Sequence, residues 1–370
     1  MPFLSAARLR INLGALKSNI DTARSRLGPG PLICLPVKAD AYGHGMIPVA
    51  RAALEAGVQW LAVSEPSEGA ALREAGIKAP ILLLYQSLPL DLDEIIALDL
   101  VPLVHDREFI EECRGAAERA GKQLTVHLKV DTGMGRFGCR PEEAAPLAGL
   151  IASSPRLRLG GLATHFSAAD SPEADDLAYT QEQIRRFKEA ASAVKAAGIN
   201  PGLLHGANSG ALCFHQDSYF DMVRPGLFLY GYSPSPSLAA EPLMALTSKV
   251  VSIKKVLQGE AVSYGRTWIA SQDTCIGIIP LGYADGFSRS LSGRHRVSIR
   301  GRTYPLVGRI CMAHCMIDLG PSPEVQRWDE VTIFGNGHGS AADLADLLGT
   351  IPYEITCTIH PRVPREYYPC

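Results

Sequence analysis

Short apolar runs alternate with amphipathic or Ala-rich stretches over the first 230 residues or so. The runs Leu32–Val37, Trp60–Val63, Ile81–Tyr85, Val101–Val104, Thr125–Val130, Leu159–Thr164, Gly202–Leu204 and Met222–Leu229 have the length and content of buried strands. Between them lie helical patterns such as "EPSEGAALREAG" (65–76) and "AYTQEQIRRFKEAASAVKAAG" (178–198). Gly57, Gly76, Gly121 and Gly198 stand where these helices should stop. Eight strands, nearly all followed by a helix, match the count and size of a (β/α)8 barrel, with an open doubly wound sheet as the alternative.

The rhythm breaks at "GYSPSPSLAAEP" (231–242). Beyond it "LTSKVVSIKKV", "TCIGIIPLGY", "HRVSIRGRTYPLVGRICM" and "EVTIFG" read as strands separated by turns, and "AADLADLLG" (341–349) as the one helix. The pattern therefore predicts an α/β fold: a TIM barrel over residues 1–238 and a mainly-β domain over 239–370. About the first 10 residues are expected to pack on the β domain.

Composition narrows the class. Apolar residues make up 46% and charged residues 20%, as in a globular enzyme. A net charge of −2 offers no case for nucleic acid or an anionic membrane as partner. No apolar run reaches the roughly 18 residues of a membrane span, and the N-terminus lacks the apolar core of a signal peptide. Nine scattered cysteines without a Cys-x-x-Cys read as reduced thiols of a cytoplasmic protein, with no metal site.

In a barrel the chemistry sits where the strands end. The first run ends "LPVKADAYGHG", with Lys38 at its close, although lysine is rarely buried without a partner. His105 follows the fourth run, and Lys129, Asp131 and Arg136 stand at or after the fifth. His165 ends the sixth, His205, Asn208 and Ser209 follow the seventh, and Arg224 lies in the eighth. Each has an ordinary structural explanation; their convergence on one rim is what suggests a site. "HGANSGA" (205–211) and "RPGLFLYG" (224–231) offer backbone N–H groups to an anion on the last two loops, a common place for phosphate in barrels. A rim lysine opposite a phosphate cradle suits pyridoxal 5'-phosphate (PLP), which needs an amine for its aldehyde, an anion site and a partner for its pyridine nitrogen.

These residues fall in motifs that resemble the alanine racemase family over nearly the whole chain. They are "VKADAYGHG", "HLKVDTGMGRFG", "THF", "ANS", "RPGLFLYG", "SYGRTW", "GYADGF", "VGRICM" and "PYE", in the family's order. The resemblance implies a PLP enzyme interconverting L- and D-alanine, with D-alanine destined for cell-wall peptidoglycan, working as a homodimer with shared sites. It implies that Lys38 holds PLP and is one acid/base, and that Tyr264 from the partner subunit is the other. Tyr42, Ser209, Gly226, Leu227 and Tyr353 would hold the phosphate, with Asn208 beside them. Arg224 would face the pyridine nitrogen, with His165 in the network leading towards the tyrosine. Arg136 and the backbone at Met312 would address the substrate carboxylate, Tyr283 would line the entrance, and Lys129 matches a position carbamylated in some members.

The chain departs from the family's usual Asp after the Met of "GRICMAHCMID", carrying Ala313 and His314. That leaves open a serine or broad-range small amino-acid racemase. A decarboxylase of the same fold is a further alternative, disfavoured because that group sets a carboxylate, not Arg224, against the pyridine nitrogen.

Overall fold

The computed structural model describes residues 5–369. They divide into two compact units. One is Leu16–Ala41 with Met46–Glu241; the other takes the chain up to Ala15, Tyr42–Gly45, and the chain from Pro242 on.

The strands run in order β1 (Arg8–Asn12), β2 (Leu32–Pro36), β3 (Trp60–Val63), β4 (Ile81–Leu83), β5 (Leu100–Val104), β6 (Leu124–Lys129), β7 (Leu157–Ala163), β8 (Leu203–His205), β9 (Met222–Val223) and β10 (Met244–Lys249). Then come β11 (Ser252–Val256), β12 (Ala261–Val262), β13 (Trp268–Ile269), β14 (Thr274–Ile279), β15 (Arg296–Ile299), β16 (Arg302–Val307), β17 (Cys315–Gly320), β18 (Glu330–Phe334) and β19 (Arg365–Tyr368).

Strands β2 to β9 form a closed barrel, parallel throughout and sealed by β2 on β9, with Ile33 opposite Val223. Parallel strands covered on both faces need no polar side, which is why they read as unbroken apolar runs. The barrel interior gathers Cys34, Ala62, Leu82, Val101, Leu103, Ala163 and Met222, with Trp60 partly buried against them. The intervening helices carry ordinary local signals. Arg107–Ala120 begins on Asp106, whose side chain accepts the Phe109 N–H, and stops on Gly121 at φ 65°, where a left-handed residue is cheapest for glycine.

The eighth strand is shorter than expected. It ends at Val223, and Gly226–Leu229 form a helical turn instead. Pro225 has no N–H to continue a ladder and disfavours a regular strand around it. The apolar content of "GLFLY" nevertheless imitates one.

The other unit is built on a nine-stranded sheet of order β11-β14-β17-β16-β15-β18-β10-β1-β19, with β12 and β13 as a separate ribbon. β1 runs antiparallel to β10 and parallel to β19. Among the described residues from Pro242 on there are two α-helices, the expected Ala341–Leu348 and a second, Pro352–Thr358. Pro352 suits the first turn of that helix, where its missing N–H is not needed.

Candidate active site

The site in the barrel unit starts at the end of β2. Val37 donates to Ala62 O at 2.7 Å, closing the strand layer, and Lys38 follows half-buried. The chain then does something unusual. Ala39, Asp40, Ala41 and Tyr42 all adopt left-handed backbone, at φ 51°, 54°, 53° and 55°. For residues with a Cβ this costs about 1–2 kcal/mol each, so the surroundings must hold it. The Ala39 N–H donates to Glu68 Oε1 at 2.6 Å, Ala41 N–H to Val37 O at 2.8 Å, and Met46 N–H to Asp40 Oδ1 at 2.7 Å. Glu68 also accepts from the N–H groups of Ser64 and Glu65. Glu68 was not among the residues singled out from the sequence; inside a helical stretch its carboxylate looks like any surface charge.

Around the barrel the other predicted residues gather. Lys129 ends β6, buried at 7% exposure. The loop behind it is clamped by Asp131, whose Oδ1 accepts the N–H groups of Gly133 and Met134 at 2.9 and 2.8 Å and whose Oδ2 accepts that of Gly135 at 3.0 Å. This leaves Arg136 exposed on the loop. His165 follows β7. Its imidazole is pushed well below its usual value by burial and then by Lys129, Arg224, Arg136 and Lys38, so these four cations share its neighbourhood. Lys129 is likewise lowered well below an ordinary lysine by burial, then by Arg224 and Arg136, with Asp131 opposing. His105, after β5, is lowered by burial and also feels Lys129.

Arg224 lies buried just past β9. Its Nη1 donates to His205 Nδ1 at 2.5 Å and its Nη2 to Thr164 O at 2.7 Å and Gly206 O at 3.3 Å. Burial lowers its pKa to about 10, which leaves the guanidinium charged at neutral pH. Among the described residues nothing accepts from its Nε.

After β8, Asn208 caps the short helix Ser209–Phe214 by accepting the Ala211 N–H at 3.0 Å, and donates to Phe166 O at 3.1 Å. Ser209 Oγ accepts the Phe228 N–H at 3.0 Å. That bond ties the loop of Ser209 to the turn that carries Gly226 and Leu227. The first N–H groups of both turns have no partner within their own helices.

The remaining candidates belong to the β unit. Tyr42 and Tyr353 meet edge to face, ring centres 5.1 Å apart. Tyr264 follows Ser263, a residue in left-handed backbone at φ 69° whose Oγ donates to Arg309 O at 2.7 Å. Tyr283 N–H donates to Cys311 O at 3.1 Å and Ala284 N–H to Met312 O at 2.9 Å. Segment 309–312 therefore anchors both tyrosine loops. Tyr264 is 70% exposed, Tyr283 44% and Met312 62%.

The barrel residues fit PLP. Lys129, Arg224, Arg136 and Lys38 all act on His165, while the loop carboxylate Asp131 has its oxygens occupied by backbone N–H groups, so the mouth has basic groups for a phosphate-bearing group. Arg224 Nε offers a donor without a protein acceptor to a pyridine nitrogen, and Lys38 supplies the amine.

Comparison with known proteins agrees with these features. Residues 11–234 match the family model described as alanine racemase, N-terminal domain, and residues 243–367 the C-terminal domain. The chain is 49% identical to the alanine racemase of Treponema denticola over 374 aligned positions, covering 98% of each. A solved alanine racemase of Clostridium difficile 630 matches with a TM-score of 0.94 at 34% identity, covering 100% of this chain and 97% of that one. An alanine racemase of Bacillus anthracis solved with bound L-Ala-P matches with a TM-score of 0.92 at 36% identity, covering 100% and 96%.

Proposed function

The chain belongs to the alanine racemase family, and from that premise we propose that it interconverts L- and D-alanine with PLP held at the barrel mouth. The observation that carries this is the convergence of Lys38, Lys129, Arg136 and Arg224 on His165. We assign residues 1–238 to the PLP-binding barrel and 239–370 to the β domain, with the strand β1 near the start of the chain packed into the β domain's sheet. When bound, PLP supplies a carbonyl carbon that takes up an amine and a conjugated ring that eases loss of the Cα proton.

The chain's own residues do the rest. Lys38 would hold the aldehyde carbon until the substrate's own amine takes its place there, and the lysine amine so freed would remove or return the Cα proton on one face. Tyr264 Oη serves the opposite face, and a proton lost on one side and regained on the other inverts the centre. Tyr42, Asn208, Ser209, Gly226, Leu227 and Tyr353 would hold the phosphate. Arg224 would donate to the pyridine nitrogen; since a guanidinium accepts no hydrogen bond, it would keep that nitrogen an acceptor. Arg136 and the Met312 backbone hold the substrate carboxylate, and Tyr283 lines the way in. Lys129, buried and lowered well below an ordinary lysine, is the amine suited to carbamylation, which would place a negative charge beside Arg136 and Arg224.

We place the enzyme in the cytoplasm as a homodimer in which Tyr264 and Met312 serve the partner's barrel, and we assign it the supply of D-alanine for peptidoglycan. The scattered free cysteines agree with a reducing compartment, and no helix among the described residues is long and apolar enough to cross a membrane. The test is purified protein with PLP and a panel of L- and D-amino acids, followed by chiral separation. Alanine should be racemised in both directions only with PLP present; unchanged L-alanine would overturn the proposal.

A further inference from the structure

The barrel interior holds a polar chain that the reading above does not use. It runs from Arg224 Nη1 to His205 Nδ1 at 2.5 Å and from His205 Nε2 to His127 Nδ1 at 2.8 Å. It stops at His127 Nε2, a buried atom with no partner among the described residues. Both imidazoles are essentially sealed, His205 at 0% exposure and His127 at 1%.

The fold has made room for it. On the neighbouring strand β7, a Cβ on Gly160 would come within 3.0 Å of His127 Nε2, and one on Gly161 within 2.8 Å of its Nδ1. A larger residue would crowd the ring at both positions, and also Thr125 Cγ2 at Gly160 and the Leu203 carbonyl at Gly161, each 2.5 Å from the added atom. Trp60 flanks it, ring centres 5.6 Å apart.

Proton positions follow from the first link. Arg224 can only donate, so His205 Nδ1 must carry a lone pair. A neutral His205 then bears its proton on Nε2 and donates it to His127 Nδ1. His127 in turn is the Nε2–H tautomer. The charged and titratable groups that face the pair are Arg224, Lys129 and Arg158, with the Cys34 thiol beside Arg224 and no carboxylate. Burial first, and these cations second, hold both rings neutral, His127 at about 3 and His205 well below its usual value.

We propose that His127 is a positioning residue for the reaction: by accepting from His205 Nε2 it locks the tautomer that accepts from Arg224, and so fixes the guanidinium in the barrel. This rests on the reading of Arg224 as the partner of the pyridine nitrogen. Because the chain ends on an N–H, it has no site at which to take up a proton and pass it towards that nitrogen.

Two measurements test it. The first uses the full-length protein without PLP, labelled with 15N in its histidine rings, with His127→Asn and His205→Asn used to assign the signals. Long-range 1H–15N spectra should show both rings as Nε2–H tautomers that do not titrate between pH 5 and 9. An Nδ1–H on either ring, or titration in that range, overturns the proposal. The second is kinetic. His127→Leu removes the acceptor and should lower kcat about tenfold with KM nearly unchanged, the size expected when a supporting partner of a site residue is lost. His127→Asn places a carbonyl oxygen near the lost Nδ1 and should recover most of kcat. Equal losses in Leu and Asn variants would overturn the positioning role. Should the wild type racemise nothing while the spectra show both tautomers, the proposed function fails and the histidine chain stands.

Discussion

The two units present most of their candidate residues in opposite ways, with exposed Arg136 in the barrel unit and buried Tyr42 in the β unit as exceptions. In the barrel unit Lys129, Arg224 and His205 are buried and lowered in pKa, first by that burial, and Arg224 lowers Lys129 and His205 further. In the β unit Tyr264, Tyr283 and Met312 stand out to solvent on loops that backbone hydrogen bonds hold in place. One set has its environment made by its own strands. The other is displayed on loops that backbone hydrogen bonds tie down. The contrast teaches that burial alone is a poor guide to the whole site: half of the proposed chemistry sits on side chains that look like ordinary surface.

The largest effect that can break this contrast is on the barrel side. Lys38→Ala removes both the anchor of PLP and one of two bases, and should reduce kcat by at least about a thousandfold, as loss of a nucleophile or base does elsewhere. Tyr264→Phe should be nearly as damaging in steady-state turnover, but one-sided. Exchange of the Cα proton with solvent should fall far more from one enantiomer than from the other. If the exposed surface of the β unit serves a second copy, mixing the two inactive variants should restore about a quarter of wild-type activity. Random two-fold pairing makes half the dimers mixed, each with one intact site. With subunit exchange demonstrated, no recovery would mean that Tyr264 does not act across a dimer, and the comparison between buried and displayed halves would need another explanation.

Legibility followed the same divide. The barrel strands could be read because strands buried on both faces are continuous apolar runs, and the rim residues because strand ends are where such barrels keep polar groups. The eighth strand was overread because "GLFLY" is as apolar as a strand, and only Pro225 says otherwise. The helix Pro352–Thr358 was missed since seven residues are too few for a helical period, and its leading proline looks like a breaker. β1 left only a five-residue trace, "RLRIN", beside a helix. Glu68 and His127 were invisible for a different reason. Each acts on a part of the chain far from it in sequence, Glu68 on the backbone of Ala39 and His127 on the side chain of His205. The pair Gly160-Gly161 is the sole local hint of His127, and it needs the register of β6 against β7 to be understood.

The burial of the barrel histidines predicts how stability depends on pH. Unfolded histidines titrate near 6.5, whereas His127 in the fold lies at about 3 and His205 well below its usual value. Between the folded and unfolded values the unfolded chain binds more protons, so stability rises with pH and is lost as pH falls below about 6.5. Each such histidine contributes about 1.4 kcal/mol per pH unit there, or about 2 kcal/mol between pH 6.5 and 5. Lys129, also lowered, acts with the same sign over its own higher range. Urea unfolding from pH 7 to 5 should therefore show a falling midpoint, and His127→Asn should flatten that fall by the share of one histidine. An unchanged slope would mean that the ring is not held neutral in the fold.

The smallest effect belongs to the displayed half. Ala313 and His314 are exposed, directly after Met312 in the segment that anchors the loops of Tyr264 and Tyr283. Relative to the aspartate usual in this family, Ala313 removes a carboxylate and several atoms. More room should admit a substrate side chain larger than methyl, and one methylene's worth of discrimination is about 1–3 kcal/mol at most. Loss of an anion near a tyrosine should also ease its ionisation, since like charges oppose each other. Ala313→Asp is therefore expected to shift the alanine-to-serine ratio of kcat/KM a few-fold towards alanine, at the low end of that range. The basic limb of its pH profile should move upward. His314 sets the limit of this effect, because a neighbouring cation or donor can fill the vacated space and compensate the missing charge; His314→Ala in the Ala313 background isolates that contribution. If neither substitution changes the substrate ratio or the pH profile, the displayed surface sets only the position of Tyr264, and discrimination between alanine and serine lies with the buried residues of the barrel.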